Sequence, residues 1–146
     1  MQNTISIQKA VAGDFDAICA LLSADHLPAS DINPLLHNFF IAVEDTEIIG
    51  VIGMDKYGSA GLLRSAVVKA SHRCIGVAAA LVNQLLAAAR QSGVNTLYLI
   101  TNTAEKYFEK KGFEQIAREA VPATVLQSKE FNGLCPASSV IMFRQL

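Results

Sequence analysis

No stretch of this 146-residue sequence is apolar for long enough to cross a membrane as a helix, because its apolar runs are short and broken by polar side chains. Nor is there an excess of either charge. Twelve basic against thirteen acidic side chains leave a formal charge of -1. A nucleic-acid partner, which needs a basic face to neutralise phosphates, is therefore not expected. The three cysteines, at positions 19, 74 and 135, are odd in number and far apart, and they form no CxxC pair; His26, His37 and His72 do not stand at zinc-ligand spacing with them. A structural metal and a disulfide framework are both unexpected, and reduced thiols fit better. The opening residues MQNTISIQKA lack the apolar centre of an export signal and read as a strand. The expectation is a cytoplasmic protein, not a membrane protein. With no internal repeat, low-complexity stretch or linker, one domain is expected over residues 1–146.

What is present suits a packed core: 51% of residues are hydrophobic and 17% are charged. TISIQKA makes a first strand. Asp14 is placed to cap a helix in which Phe15, Ile18, Leu21 and Leu22 recur at helical spacing. Pro28 and Pro34 limit residues 31–37 to a short helix or loop. FFIAV (39–43) and IIGVIGM (48–54), separated by the acidic turn Glu44–Glu47, have the signature of a hairpin, and GLLRSAVVK (61–69) follows as a third strand. A long helix then begins near Val77, keeps Ala78, Leu81, Val82, Leu85, Leu86 and Ala89 on one face, and ends at Gly93. TLYLIT (96–101) is a strand. Thr103 can cap a helix running through Lys111, and Phe113 to Ala117 is again strand. The segment after Pro122 up to Phe131 is a helix candidate, and SSVIMF (138–143) closes the chain as a strand. The order predicts a mixed α/β layer.

The junction 67–80 is the most informative stretch. A strand ends, Arg73-Cys74-Ile75-Gly76-Val77-Ala78 turns the chain, and a long helix starts at once. The first amides of a helix lack partners and sit at its positive end, so an anion binds there. Glycine lets the backbone approach a phosphate, and a guanidinium can hold a pair of oxygens in a fork. The pattern describes a pyrophosphate cradle; as a pattern alone, an ordinary α/β turn with a surface arginine carries equal weight. The Walker A and dinucleotide-binding glycine motifs are both absent.

LRSAVVKASHRCIGVAAALV resembles the acetyl-CoA-binding segment of the GCN5-related N-acetyltransferases, whose loop reads [QR]-x-x-G-x-[GA], here Arg73, Gly76 and Ala78. TAEKYFEKKGF (103–113) resembles the family helix that ends in Gly-Phe. The order of elements agrees from Ile5 to Phe143. LLRSAVV and the tail VPATVLQSKEFNGLCPASSVIM are similar to the arsenic-resistance N-acetyltransferases, and the acetylating domain of N-acetylglutamate synthases shares much of this pattern.

The resemblance implies a central, mostly antiparallel mixed sheet flanked by helices on both faces. It implies an enzyme that moves the acetyl group of acetyl-CoA, as cosubstrate and without a metal, to the amine of a small amino-acid-like acceptor. Backbone amides of a splayed strand at Ala66–Lys69 would bind pantetheine and polarise the thioester, with Val67 as the catalytic donor. Val67, Val68, Arg73, Cys74, Ile75, Gly76, Val77, Ala78, Asn102 and Phe108 would hold the coenzyme. Exposed strand edges in such folds often pair into homodimers.

Three departures stand out. Cys74 and Ile75 occupy positions where many members have glycine and a basic residue. The family often has a tyrosine, the acid for the leaving thiolate, where Phe108 stands; Tyr107 is one place earlier, about 100° round the helix. Tyr107 is carried as the candidate acid. Because a free amine is mostly ammonium at neutral pH, a base matters more. Glu44, Glu47, Asp55 and His37 lie in the hairpin region as candidates, with Glu44 carried beside Val67 and Tyr107 as catalytic.

Arg64 interrupts an apolar strand and suits the carboxylate of an amino-acid acceptor, its alternative being an edge arginine paired with a nearby carboxylate. Alternation would put Arg64, Ala66 and Val68 on one face and Ser65 and Val67 on the other. Cys135 invites an acetyl-cysteine intermediate, though a buried cysteine near a turn is commoner. The competing function is a coenzyme A sensor without chemistry; a protein-lysine acetyltransferase has only the acidic turn in its favour.

Overall fold

A computed structural model describes residues 5–25, 36–72, 76–101, 104–126 and 140–146. Within them lie strands β1 (Ile5–Lys9), β2 (Phe39–Glu44), β3 (Glu47–Tyr57), β4 (Ala60–Val68), β5 (Thr96–Thr101), β6 (Glu114–Gln115) and β7 (Val140–Gln145). The helices are α1 (Phe15–Ala24), α2 (Val77–Gln91), α3 (Glu105–Lys110) and α4 (Ala123–Leu126). The strands form one mixed, mostly antiparallel sheet in the order β1-β2-β3-β4-β5-β7-β6, flanked by helices. The chain divides into two compact units, residues 1–54 with 65–88 and residues 55–64 with 89–146.

In the first unit, β2 and β3 form the expected hairpin, joined by Asp45 and Thr46 with Asp45 in the left-handed region (φ 57°). Its register shifts between Ala42 and Val43: Ala42 faces Gly50 but Val43 faces Ile48, so Ile49 is an extra residue on β3. Such a bulge adds local twist. The apolar stripe of α1 is buried where the spacing predicts, with Ile18 and Leu22 fully enclosed alongside Phe39, Ile41, Val51 and Val67. Each such side chain contributes about 1.5–3 kcal/mol through burial. Asp14 does not cap α1; its Oδ2 accepts the Val11 N–H at 2.9 Å and so closes the 3-10 turn before the helix. A Cβ on Gly50 would lie 3.1 Å from Leu81 and 3.3 Å from the Val67 carbonyl, so a bare backbone lets the α2 side chain settle onto β3.

In the second unit, the first residues of β4 (60–62) run parallel to β5, which pairs antiparallel with β7 along its whole length. Ala60, Leu62, Tyr98, Val121, Val125 and Ile141 form the core there. α3 ends as its sequence predicts. Gly112 (φ 90°) donates to the Glu109 carbonyl and Phe113 to the Phe108 carbonyl, the paired bonds of a Schellman motif. The rings of Phe108 and Phe113, 5.5 Å apart and edge-on, supply the apolar contact that accompanies it. Gly93 closes α2 with the same pair of bonds.

Some elements are shorter than the sequence suggests. β6 spans Glu114–Gln115 of the expected 113–117, with Ile116 N–H continuing to the Ile141 carbonyl of β7 at 2.9 Å. The last strand begins at Val140, and positions 138–139 lie outside the described residues, as do residues 127–131 of the helix expected after Pro122 and 31–35 of the segment after Pro28.

A Cβ at Gly53 would stand 2.4–2.7 Å from ring atoms of Phe39, a side chain only 2% exposed. Gly53→Ala should therefore lower stability by about 1–3 kcal/mol, as overpacking of a closed core does, read from the urea midpoint.

Candidate active site

β4 carries most of the predicted chemistry, and its backbone is irregular where that chemistry is expected. Ser65 lies in the left-handed region (φ 58°), the only non-glycine residue of a strand among those described to do so. The kink breaks alternation. Ala66 is exposed while its neighbours Arg64, Ser65, Val67 and Val68 are all buried. Parallel pairing of β4 with β5 covers Ala60–Leu62 against Thr96–Tyr98, and Val67 lies beyond that register. β4 stays tied to β3, with Lys69 N–H donating to the Ile49 carbonyl at 2.8 Å.

After β4 a 3-10 turn (Ala70–His72) leads toward α2. Arg73, Cys74 and Ile75, central to the predicted cradle, lie outside the described residues, and so do Asn102 and Cys135. Gly76 adopts φ 89°, and its carbonyl accepts the Ala80 N–H at 3.1 Å, the first bond of a fifteen-residue helix. Val77 is buried and Ala78 half-buried. The amides at the start of such a helix have no intrahelical acceptor and point at whatever stands before it.

Arg64 is buried, its side chain 1% exposed, with Nη1 2.9 Å from Asp55 Oδ2 on β3. Arg64 thus has a nearby carboxylate as partner, but it is buried on β4 between β3 and β5 and is not an edge arginine. Asp55 is thereby engaged as an ion-pair partner. Glu47 pairs with Lys69 across an exposed surface, and that hydrogen bond and charge hold its carboxyl below the usual carboxylate range, which makes it a poorer base. Glu44 Oε1 lies 3.0 Å from His72 Nε2, and Ser71 Oγ lies 2.7 Å from Nδ1 of the same ring. His37 sits exposed in the turn before β2.

On α3, Phe108 is buried against Phe113 and has a structural role there. Tyr107 is half-buried with its ring 5.3 Å from that of Phe108, and Lys111 Nζ stands 5.6 Å from its centroid. Burial raises its phenol above the ordinary value of 10.0, so near neutral pH it is a protonated donor. The helix is fixed at both ends: Ala104 N–H donates to Thr101 Oγ1 at 3.0 Å, and Arg144 Nη1 donates to the Lys111 carbonyl at 2.7 Å. Among the described residues no group of three or more His, Cys, Asp or Glu side chains could hold a metal ion, and no helix is long and apolar enough to cross a membrane.

The acetyltransferase (GNAT) domain family matches residues 36–115, more than half of the chain. The chain belongs to that family. No curated protein matches the sequence. Among solved structures, N-acetylglutamate synthase from Neisseria gonorrhoeae, complexed with coenzyme A and N-acetyl-glutamate, is 21% identical with a TM-score of 0.83; the match covers 100% of this chain and 36% of that one. A GNAT-family acetyltransferase from Staphylococcus aureus is 15% identical with a TM-score of 0.78, covering 98% of this chain and 99% of that one. The PaiA N-acetyltransferase from Thermoplasma acidophilum, in complex with coenzyme A, is 14% identical with a TM-score of 0.73, covering 98% and 99%. At these identities the likeness is one of fold. This GNAT chain spans about a third of the length of the synthase and nearly all of the other two.

Sequence reasoning missed three features of the GNAT chain's site. Strand alternation gave no sign of the turn at Ser65, because serine is an ordinary strand residue. His72 carries no signal in the sequence beyond its spacing from the cysteines. The partner of Arg64 lies nine residues away across the β3–β4 turn, and the sequence could not single it out from other carboxylates.

Two measurements follow. Asp55→Asn leaves the buried Arg64 facing a neutral partner, and after allowance for the partial exposure of Asp55 the loss should be about 1–2 kcal/mol in thermal unfolding. In an ultraviolet difference titration Tyr107 should ionise above the pH of free tyrosine. The stability its neutral form contributes is fully present below the unfolded value and is lost as pH rises through the raised one.

Proposed function

We propose that the chain is an acetyl-CoA-dependent N-acetyltransferase acting on the amine of a small amino-acid-like acceptor, either glutamate or an arsenical or phosphinic analogue of it. The observation that carries this reading is the turned backbone at Ser65, which stands in a family-matched β4 two residues before Val67. The Val67 amide is the proposed oxyanion donor. One such donor is worth about 2.7–4 kcal/mol when it is aimed at the charge that develops.

In the proposed reaction the neutral amine attacks the thioester carbonyl, the nitrogen gives up its proton to solvent, the tetrahedral oxyanion collapses, and the thiolate of coenzyme A departs. A thiol pKa of roughly 8.5 makes that thiolate a tolerable leaving group. The protonated phenol of Tyr107 is the proposed acid for it. Arg73 and the amides from Gly76 to Ala78 are the proposed diphosphate ligands, with Cys74 and Ile75 contributing backbone, while Val68, Asn102 and Phe108 complete the coenzyme contacts. Arg64, oriented by Asp55, is the proposed anchor for the acceptor's carboxylate. The arsenic-resistance reading rests on the likeness of LLRSAVV, LYLITNTAEKYFEKKGF and the tail VPATVLQSKEFNGLCPASSVIM, and the acetylating domain of N-acetylglutamate synthases shares its Arg64-Ser65 pair and CPAS tail (135–138).

A thiol-release assay with acetyl-CoA against glutamate and its arsinic and phosphinic analogues tests this reading. The expected result is coenzyme A release with at least one of them, and an acceptor KM raised about tenfold or more in Arg64→Ala while the KM for acetyl-CoA changes little. Thermal stabilisation by acetyl-CoA without thiol release would instead mark a coenzyme A sensor.

A further inference from the structure

We propose that Tyr98 is a specificity-determining residue of the acceptor site, its phenol donating a hydrogen bond to a second acidic group at the end of the acceptor's side chain. This rests on the proposed N-acetyltransferase reading, with Arg64 as the anchor of the acceptor's α-carboxylate.

Tyr98 lies on β5 and is only 8% exposed, yet among the described residues no hydrogen bond reaches its hydroxyl. The ring itself is held. It stacks on Phe143 of β7, its partner in the register, with centroids 6.5 Å apart and planes at 28°. Packing of this kind fixes where the hydroxyl is presented. Burial raises the phenol above its ordinary value of 10.0, so near neutral pH it is a neutral donor. A buried hydroxyl without a partner gives up the water it had in the unfolded chain and gains nothing in return. Phenylalanine would fill the same space without that loss, and a ligand is the partner that accounts for the oxygen.

Position ties this hydroxyl to Arg64. β4 pairs with β5 only from Ala60–Thr96 to Leu62–Tyr98, and beyond Tyr98 that pairing ends. Ala60, Leu62 and Tyr98 pack in one cluster, so they share a face of the sheet. Arg64 stands two residues past Leu62 and still ahead of the kink at Ser65, and alternation puts it on that face. Asp55, its ion-pair partner, is likewise two residues from Tyr57, which packs against the same cluster. Arg64 and Tyr98 are thus two residues apart along the strand direction and one strand apart across it, roughly 8 Å between backbones. An amino acid with an acidic group at each end spans such a gap. The surroundings are apolar and incompletely closed, since Tyr57, Ile100, Ile116, Leu126 and Phe143 pack against the cluster but are only partly buried. Apolar walls with a few placed polar groups are the ordinary make-up of a small-ligand site. In such walls an O–H donated to an anion is charge-assisted and stronger than a bond between neutral groups.

Thiol-release kinetics on the full chain test this, with glutamate and its phosphinic analogue as acceptors and norvaline, equally long but ending in a methyl group, as a competing ligand. Tyr98→Phe keeps the ring and removes the hydroxyl. It should raise the KM for the acidic acceptor about tenfold or more, while the KM for acetyl-CoA stays within about twofold of wild type. Norvaline should compete equally well in both proteins, because it never used the hydroxyl. The thermal midpoint should hold or rise, as no bond within the protein is lost; a purely structural hydroxyl would lower it and leave the acceptor KM unmoved. An unchanged acceptor KM in Tyr98→Phe, where Arg64→Ala raises it, would overturn the role of Tyr98 and leave the acetyltransferase reading intact. So would an equal loss of norvaline binding. Absence of thiol release from the wild-type chain with every acidic acceptor would overturn that reading, and the role of Tyr98 with it.

Discussion

A serine forced into the left-handed region inside a strand is the constraint on which the proposed chemistry depends. Left-handed backbone costs an L-residue about 1–2 kcal/mol, and an ordinary strand avoids it. Ser65 accepts it within β4, buried and flanked by Arg64, whose guanidinium is held by Asp55. The consequence is geometric. Beyond the kink Ala66 is exposed while Val67 and Val68 are both buried.

The two helices that matter for the proposed reaction are held by their ends. α3 starts on a threonine hydroxyl and stops on a left-handed glycine backed by Arg144 and by the ring of Phe113. These ties keep Tyr107 in one place on a helix of only six residues, which would not be stable by itself. α2 begins at a left-handed glycine and is bound to β3 through the close seat that Gly50 provides for Leu81. Phe108 serves the helix stop, and the neighbouring hydroxyl on α3 is that of Tyr107.

The carboxylates of the hairpin show how position overrides residue type. Glu44, Glu47 and Asp55 are equivalent as acids in a sequence, and each has a separate nitrogen partner in the fold: the ring of His72, Lys69 and Arg64.

The elements themselves were legible in the residues, because periodicity, β-branching and the glycines at 93 and 112 are local signals that need no partner to be read. The hairpin, the apolar faces of α1 and α2, the Schellman stop of α3 and the membership of the GNAT family all rest on such signals. What only tertiary structure decided is everything that depends on a contact between distant positions. The break in alternation at Ser65, the pairing of Asp55 with Arg64 and the capture of His72 by Glu44 across twenty-eight residues are of that kind. The physical reason is that a strand's backbone angles and a charge's partner are chosen by the surroundings that bury them, and a linear pattern carries no record of which distant residue will supply those surroundings.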